Sequence, residues 1–450
     1  MQLAGQRSLA SFFSVRYFIA FTLIFAFAVV HSATMTMTLL ALLAWTVRGP
    51  VHAIQAMSIV AILRSSNPSI AVFSSISSIL FWAVILLGCL VFLLRTRRVP
   101  TVFWVLFMFF VTAILTSIVS SAAVDVSISK IVSFFIVAGS FLLVSSNLKV
   151  QEAELLTSWF VSLALAVVCL SLFTLISFSL AFGHAGMGMR GIFNHPQALA
   201  IFLVPFASWL IVGRFVSART GGSNLSLVVV TLVVVIIVLT KARTAMLATF
   251  MSVFLATLFH LFKPVRTSLR KKQNELLALL LVIITCIGLF SLSEAGSELI
   301  RDIVFKGSHH ETIGEAFDES RGAGIAEHLK HFAENPFIGI GFGVYEFGVF
   351  GGEERVVRIF GIPISAPAEK GFAFTSVLEE TGIIGGLLFY LFVYLLVRES
   401  LNAYEPEVAA LMLGAILVNF GEAVIFSPGG LGLYMWVVIA LSLARSHRYA

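Results

Sequence analysis

The stretch GMRGIFNHPQALAIFLVPFASWLIVGRFVSARTGG, Gly188 to Gly222, decides the fold. No Lys, Arg, Asp or Glu stands between Arg190 and Arg214. A run of that length and apolarity matches one helical crossing of a hydrocarbon core of roughly 30 Å. Its two flanks differ in kind. An arginine, a histidine and a proline precede it, and a basic GRFVSAR segment follows.

The same pattern recurs along the chain of 450 residues, which is 59% hydrophobic and 12% charged, with 43 phenylalanines. A water-soluble protein has no interior large enough for that much apolar surface. In lipid the backbone polar groups are satisfied only in helices or closed barrels, and continuous apolar runs mean helices. The expected fold class is therefore an all-α, polytopic membrane protein. Twelve spans are expected, at roughly 17–46, 69–94, 101–121, 128–146, 155–182, 192–213, 225–240, 243–262, 275–293, 372–397, 406–426 and 431–445. The first is either one long tilted helix or a hairpin broken near His31, with 51–63 then an extra span. Both versions return the chain to the same side. The run after Arg7 and Arg16 is too long for a signal peptide and is expected to be retained.

Basic loops fix the orientation. RTRRVP (95–100), GRFVSARTGG (213–222), FKPVRTSLRKK (262–272) and the ends of the chain fall on one side, the cytoplasmic one. The net charge of +6 is thus spent on orientation and does not point to nucleic acid. The domain plan is spans 1–9 within 1–293, an outer loop with short helices over 294–371, and spans 10–12 within 372–450. The outer loop holds 13 of the 23 acidic residues and 7 of the 29 basic ones, so it is acidic where the cytoplasmic loops are basic. Within it, RGAGIAEHLKHFAEN (321–335) reads as an amphipathic helix with Ile325, Leu329 and Phe332 on its apolar stripe. FIGIGFGVYEFGVFGG (337–352) alternates glycine with bulky residues and reads as a tight turn packed against the membrane domain.

Three arginines, Arg190, Arg243 and Arg321, stand on the outer face. A guanidinium offers a planar fork that matches phosphate oxygens, and its cost near a bilayer asks for a reason. Interfacial anchoring is the plainer alternative, and it is the expectation for Lys241. Asn194 is a candidate cap for a helix that starts at Pro196, and free N–H groups there favour an anion. His195 either lines that site or is structural. Glu369 at the mouth of the tenth span is the candidate general base, unless it merely pairs with Lys370. One of Glu379 and Glu380 is expected to face a polar cavity, and Glu422 has the same reading. His309, His310, His328 and His331 lack a cysteine or carboxylate set to complete a metal site, so no metal is expected. Cys89, Cys169 and Cys286 all lie in apolar runs and suggest no disulfide framework.

MRGIFNHPQALA (189–200), LTKARTAML (239–247), ESRGAGIAEHLKHFAENPFIGIGFGVYE (319–346) and EKGFAFTSVLEETGIIGG (369–386) together resemble the O-antigen ligase and polysaccharide polymerase superfamily of bacterial inner membranes. The resemblance implies a glycosyltransferase without metal or cofactor. It would move a glycan from an undecaprenyl diphosphate carrier to an acceptor glycan on the periplasmic face. Arg190, Arg243 and Arg321 would then hold the donor diphosphate, with His195, Lys370 and Glu380 as accessory residues. Membrane lipid and a chain-length regulator are the further partners implied, and both termini would be cytoplasmic. Ligases of this kind place a His-Asn pair where this chain has Glu369 and Lys370, so a polymerase fits better than a ligase. A secondary transporter or lipid flippase is the rival from another class. It predicts mid-span ionisable residues, broken helices and paired halves. A receptor or structural membrane protein leaves the arginines without a role.

Overall fold

The computed structural model describes residues 9–183, 188–216, 224–262, 322–343, 357–359, 362–365, 371–403 and 405–446. The chain forms α1 (Leu9–Phe12), α2 (Val15–Ala28), α3 (Ser32–Thr46), α4 (Pro50–Arg64), α5 (Ser75–Arg95), α6 (Thr101–Ser120), α7 (Val124–Ser145) and α8 (Val150–Phe173). It continues through α9 (Phe178–Phe182), α10 (Pro196–Phe215), α11 (Asn224–Leu239), α12 (Arg243–Phe262) and α13 (Ala323–Glu334). A short antiparallel hairpin, β1 (Val357–Ile359) and β2 (Ile362–Ser365), comes next. Helices α14 (Ala373–Asn402), α15 (Pro406–Leu417) and α16 (Gly430–Ser446) close the chain. This hairpin lies in the segment 294–371, where only short helices and a turn are expected from sequence. The expected span 275–293 lies outside the described residues.

Among the described residues, seven helices are long and apolar enough to cross a membrane: Ser75–Arg95, Thr101–Ser120, Val124–Ser145, Val150–Ile176, Pro196–Phe215, Arg243–Leu261 and Ala373–Asn402. Six shorter apolar helices accompany them. Leu86, Leu90, Leu94, Trp104, Met108 and Leu115 stand exposed on α5 and α6, the arrangement of a lipid-facing surface. The fold is a helical, membrane-embedded one.

The first apolar run is broken. His31 adopts an extended backbone and caps α3, its Nδ1 accepting from the Ala33 N–H at 3.1 Å. Thr34 closes the reciprocal bond back to the His31 N–H at 2.9 Å, a capping box that ends any single helix over 17–46. Gly49, at φ +140, and Pro50 at the first helical position then start α4. Polar contacts join the helices where lipid cannot. Ser208 and Ser252 meet at 2.5 Å between α10 and α12, and Gly414 of α15 lies against the Pro205 backbone of α10. Arg445 ion-pairs with buried Glu405 and donates from Nη1 to Thr157 at 2.9 Å. Asn147 accepts from the Arg97 and Arg98 amides, which ties the basic 95–98 corner to the end of α7.

Candidate functional site

The segment after α9 is a strap between helix ends. Met189 donates to the Leu239 carbonyl at 2.8 Å, Asn67 donates to Ile192 at 2.9 Å, and Asn194 donates to Ser65 at 3.0 Å. Its far end starts α10. The cap is His195 rather than Asn194: proline at the first helical position forces an extended backbone on the residue before it. His195 Nδ1 accepts from the Gln197 N–H at 3.2 Å, so the neutral ring carries its proton on Nε2.

This helix start opens on a cavity of about 510 Å³. Its wall comes from the end of α4 (Arg64, Ser65), the first turns of α5 (Ser78, Phe81, Trp82) and α7 (Ser129, Lys130, Ser133). Asn194, His195 and Gln197 of α10, Ser376 and Glu380 of α14, and 422–432 leading into α16 complete it. The starts of α10 and α16 therefore both border the cavity, and a helix N-terminus favours an anion. Arg64 lies over the rings of Phe73 and Phe81, at 5.3 and 5.8 Å from their centroids. These cation–π contacts hold the guanidinium at the cavity wall without using its N–H donors. Lys130 Nζ donates to the Gly343 carbonyl at 2.6 Å. Two carboxylates, Glu380 and Glu422, share the wall with these cations.

One side of the cavity is built by a loop seated in a broken helix. Helix α14 is interrupted at Gly382, whose φ is +64. The interruption frees carbonyls that a continuous helix would use. Ile340 donates to the Glu379 carbonyl at 2.9 Å, Gly341 to Glu380 at 3.0 Å, and Ile383 to Pro336 at 2.8 Å. A Cβ on Gly382 would stand 2.3 Å from the Phe337 carbonyl carbon and oxygen. The FIGIGFG part of the run, 337–343, is thus a tight turn on the membrane domain, as its glycines predict; 344–352 lie outside the described residues. A Cβ on Gly341 would meet Ser121 at 2.5 Å. Phe342 is buried against Phe109, Phe134 and Phe426, and its N–H donates to Ser117 Oγ at 3.0 Å.

Helix α13 corrects the expected apolar stripe. Its buried residues are His328 and His331, while Leu329 is exposed and Ile325 and Phe332 are only half-buried. The reason is a partner that helical periodicity does not reveal. Glu379, 2% exposed, takes His331 Nδ1 at 2.6 Å and lies 3.6 Å from His328 Nε2. His328 Nδ1 also meets Thr375 Oγ1 at 2.8 Å. Among the described residues no group of three or more His, Cys, Asp or Glu is placed to hold a metal ion.

The expected site residues separate into three groups. His195, Glu380 and Glu422 line the cavity. Arg190 and Arg243 do not. The Arg190 guanidinium donates to the Ser179 and Leu180 carbonyls at the end of α9, at 2.9 and 3.2 Å. Arg243 begins α12 next to Thr244, which packs on Gly421 beside Glu422, and its buried Nε has no hydrogen-bond partner among the described residues. Arg321, Glu369, Lys370, His309 and His310 lie outside the described residues. Two cavity cations, Arg64 and Lys130, were not singled out from sequence. Each lies near the end of an apolar helix, Arg64 at the last position of α4 and Lys130 in the second turn of α7, and that position was the available signal. Set against known proteins, the chain matches no family model and no curated sequence.

Proposed function

We propose that this protein is a glycosyltransferase that uses a lipid-diphosphate-linked glycan as donor and extends another glycan with it, as a polysaccharide polymerase does. The observation that carries the reading is the cavity itself. Two helix N-termini, Arg64 and Lys130 converge there with two carboxylates, inside a lipid-embedded helical domain. A diphosphate fits the cationic part, each charge-assisted hydrogen bond contributing about 1.5–3 kcal/mol. As a leaving group it departs already anionic. The chemistry it needs is stabilisation of developing charge, which fixed cations and helix dipoles supply. The acceptor hydroxyl needs a base, and the carboxylates supply that. Arg190 serves this site as a strap residue, and Arg243, whose Nε has no hydrogen-bond partner among the described residues, flanks it.

The orientation follows from charge. The cavity residues belong to the outer ends of their helices, and the opposite ends carry Arg95, Arg97, Arg98, Lys149 and Arg214. By the positive-inside rule this distribution supports a cavity on the non-cytoplasmic side, the periplasmic face in the proposed bacterial inner membrane, with both termini cytoplasmic. Helices α2 and α3, about 21–23 Å long at 1.5 Å per residue, are short for full crossings. Whether they cross singly or return as a hairpin, the sidedness of everything after α4 is unchanged.

The test is reconstitution of the purified protein in liposomes with undecaprenyl-diphosphate oligosaccharide alone. A ladder of lengthened glycans is expected, and Arg64→Leu should weaken donor binding about 10–100-fold, the equivalent of one charge-assisted contact. Donor that neither binds nor reacts, with or without a second acceptor, overturns the reading. Reaction only with a second acceptor makes the protein a ligase. One observation favours a transporter as second reading: the break in α14 beside a cavity lined by ionisable groups. That reading predicts movement of the labelled lipid across the liposome with no new glycosidic bond.

A further inference from the structure

We infer that Glu380 is the general base that takes the proton from the acceptor hydroxyl; the inference rests on the glycosyl-transfer reading of the cavity. Three observations single it out from the other carboxylates. First, Glu379 and Glu380 are neighbours with different surroundings. Glu379 is committed to His331 and His328, away from the cavity lining, whereas Glu380 lines the cavity. Successive side chains on a helix diverge by about 100°, so one of the pair can anchor α13 while the other faces the space. Second, Glu380 is 4% exposed although it borders a cavity of about 510 Å³. It meets that space through a small part of its surface, and the rest is enclosed by protein. Third, its backbone is held from both directions. Its carbonyl accepts from Gly341, the Glu379 carbonyl accepts from Ile340, and Ile383 donates to Pro336 across the break. A catalytic group needs this kind of fixed placement. Glu422, the other carboxylate of the wall, sits half-buried between two short 3₁₀ turns.

The step balances simply. The acceptor oxygen attacks the anomeric carbon of the donor sugar as its proton passes to the Glu380 carboxylate. The bond from that carbon to the diphosphate oxygen breaks, and its electron pair leaves on the lipid diphosphate. One displacement inverts the anomeric configuration.

The experiment compares wild type with Glu380→Gln, Glu380→Ala and Glu380→Asp in liposomes carrying undecaprenyl-diphosphate oligosaccharide, reading donor binding and turnover separately. The Gln variant should bind donor within three-fold of wild type and turn over ~10²–10⁴-fold more slowly, the usual worth of a positioned base. Added formate should restore part of the turnover of the Ala variant, which a merely structural carboxylate would not allow. If the neutral variants do not survive purification, Glu380→Asp decides: a clear loss of turnover supports the assignment, and wild-type turnover overturns it. Turnover within three-fold in Glu380→Gln sinks the assignment and leaves the glycosyl-transfer reading standing, with Glu422 next to test. Wild-type protein that neither binds nor processes the donor sinks the reading and the assignment together.

Discussion

Replacement of Gly382 by alanine should unseat the loop that forms one wall of the cavity. Two costs are visible in the structure. A non-glycine residue at φ +64, ψ −169 pays about 1–3 kcal/mol for a backbone region open essentially only to glycine. The new Cβ would also stand 2.3 Å from the Phe337 carbonyl carbon and oxygen, which are backbone atoms without freedom to swing aside. The loop must therefore withdraw. In withdrawing it strains or loses the bonds from Ile340, Gly341 and Ile383, each contributing about 0.5–1.5 kcal/mol. Taking only the conformational term and half the bonds, the seated state weakens by roughly 3 kcal/mol, about a hundred-fold in the local opening equilibrium. Hydrogen exchange on the detergent-solubilised protein reads this directly. The Ile340, Gly341 and Ile383 amides should exchange about a hundred-fold faster, while amides in the middle of α10 keep their protection. Exchange at those three amides within three-fold of wild type would refute the argument that the loop depends on the break in α14.

Two further tests address the polar groups that hold the bundle together. His331→Leu leaves the buried Glu379 carboxylate without its closest partner, a change that costs about 3–5 kcal/mol for buried charge pairs, so α13 should become open to limited proteolysis near Leu329. Arg445→Met should lower the thermal stability of the solubilised protein by stranding buried Glu405. The double variant Arg445→Met with Glu405→Leu should recover most of that loss, as calorimetry or a fluorescence melt would register.

Much of the architecture follows from runs of apolar residues alone. The span that begins at Pro196 is readable because no other solution satisfies some twenty uncharged apolar residues. The break in the first run was an open alternative. It was settled by a capping box at His31 and Thr34, a short-range pairing that hydropathy does not contain. The apolar stripe of α13 went the other way. Periodicity says which residues share a face, and here the face that is buried belongs to two histidines because Glu379, forty-eight residues from His331 in sequence, meets them. Long-range polar pairing outweighs a local apolar preference when the carboxylate would otherwise be buried alone.

The cavity shows the same limit from the other side. Its expected members His195 and Glu380 are there because each sits where a helix begins or breaks, and such positions leave a mark in sequence: Pro196 after one, Gly382 after the other. Its cations escaped notice for a physical reason. Attention to outer-face arginines weighs how many charges stand near a membrane surface, whereas the cost that demands an explanation is set by what surrounds each one. Arg190 meets that cost locally, through two carbonyls at the end of α9. Arg64 meets it by lying on Phe73 and Phe81, and Lys130 by holding the Gly343 carbonyl. A guanidinium held by ring faces keeps its N–H donors for a ligand, while one already bonded to carbonyls has spent part of them. That difference separates Arg64 from Arg190, and Lys130 joins Arg64 in the anion site because it lines the cavity, which Arg190 does not.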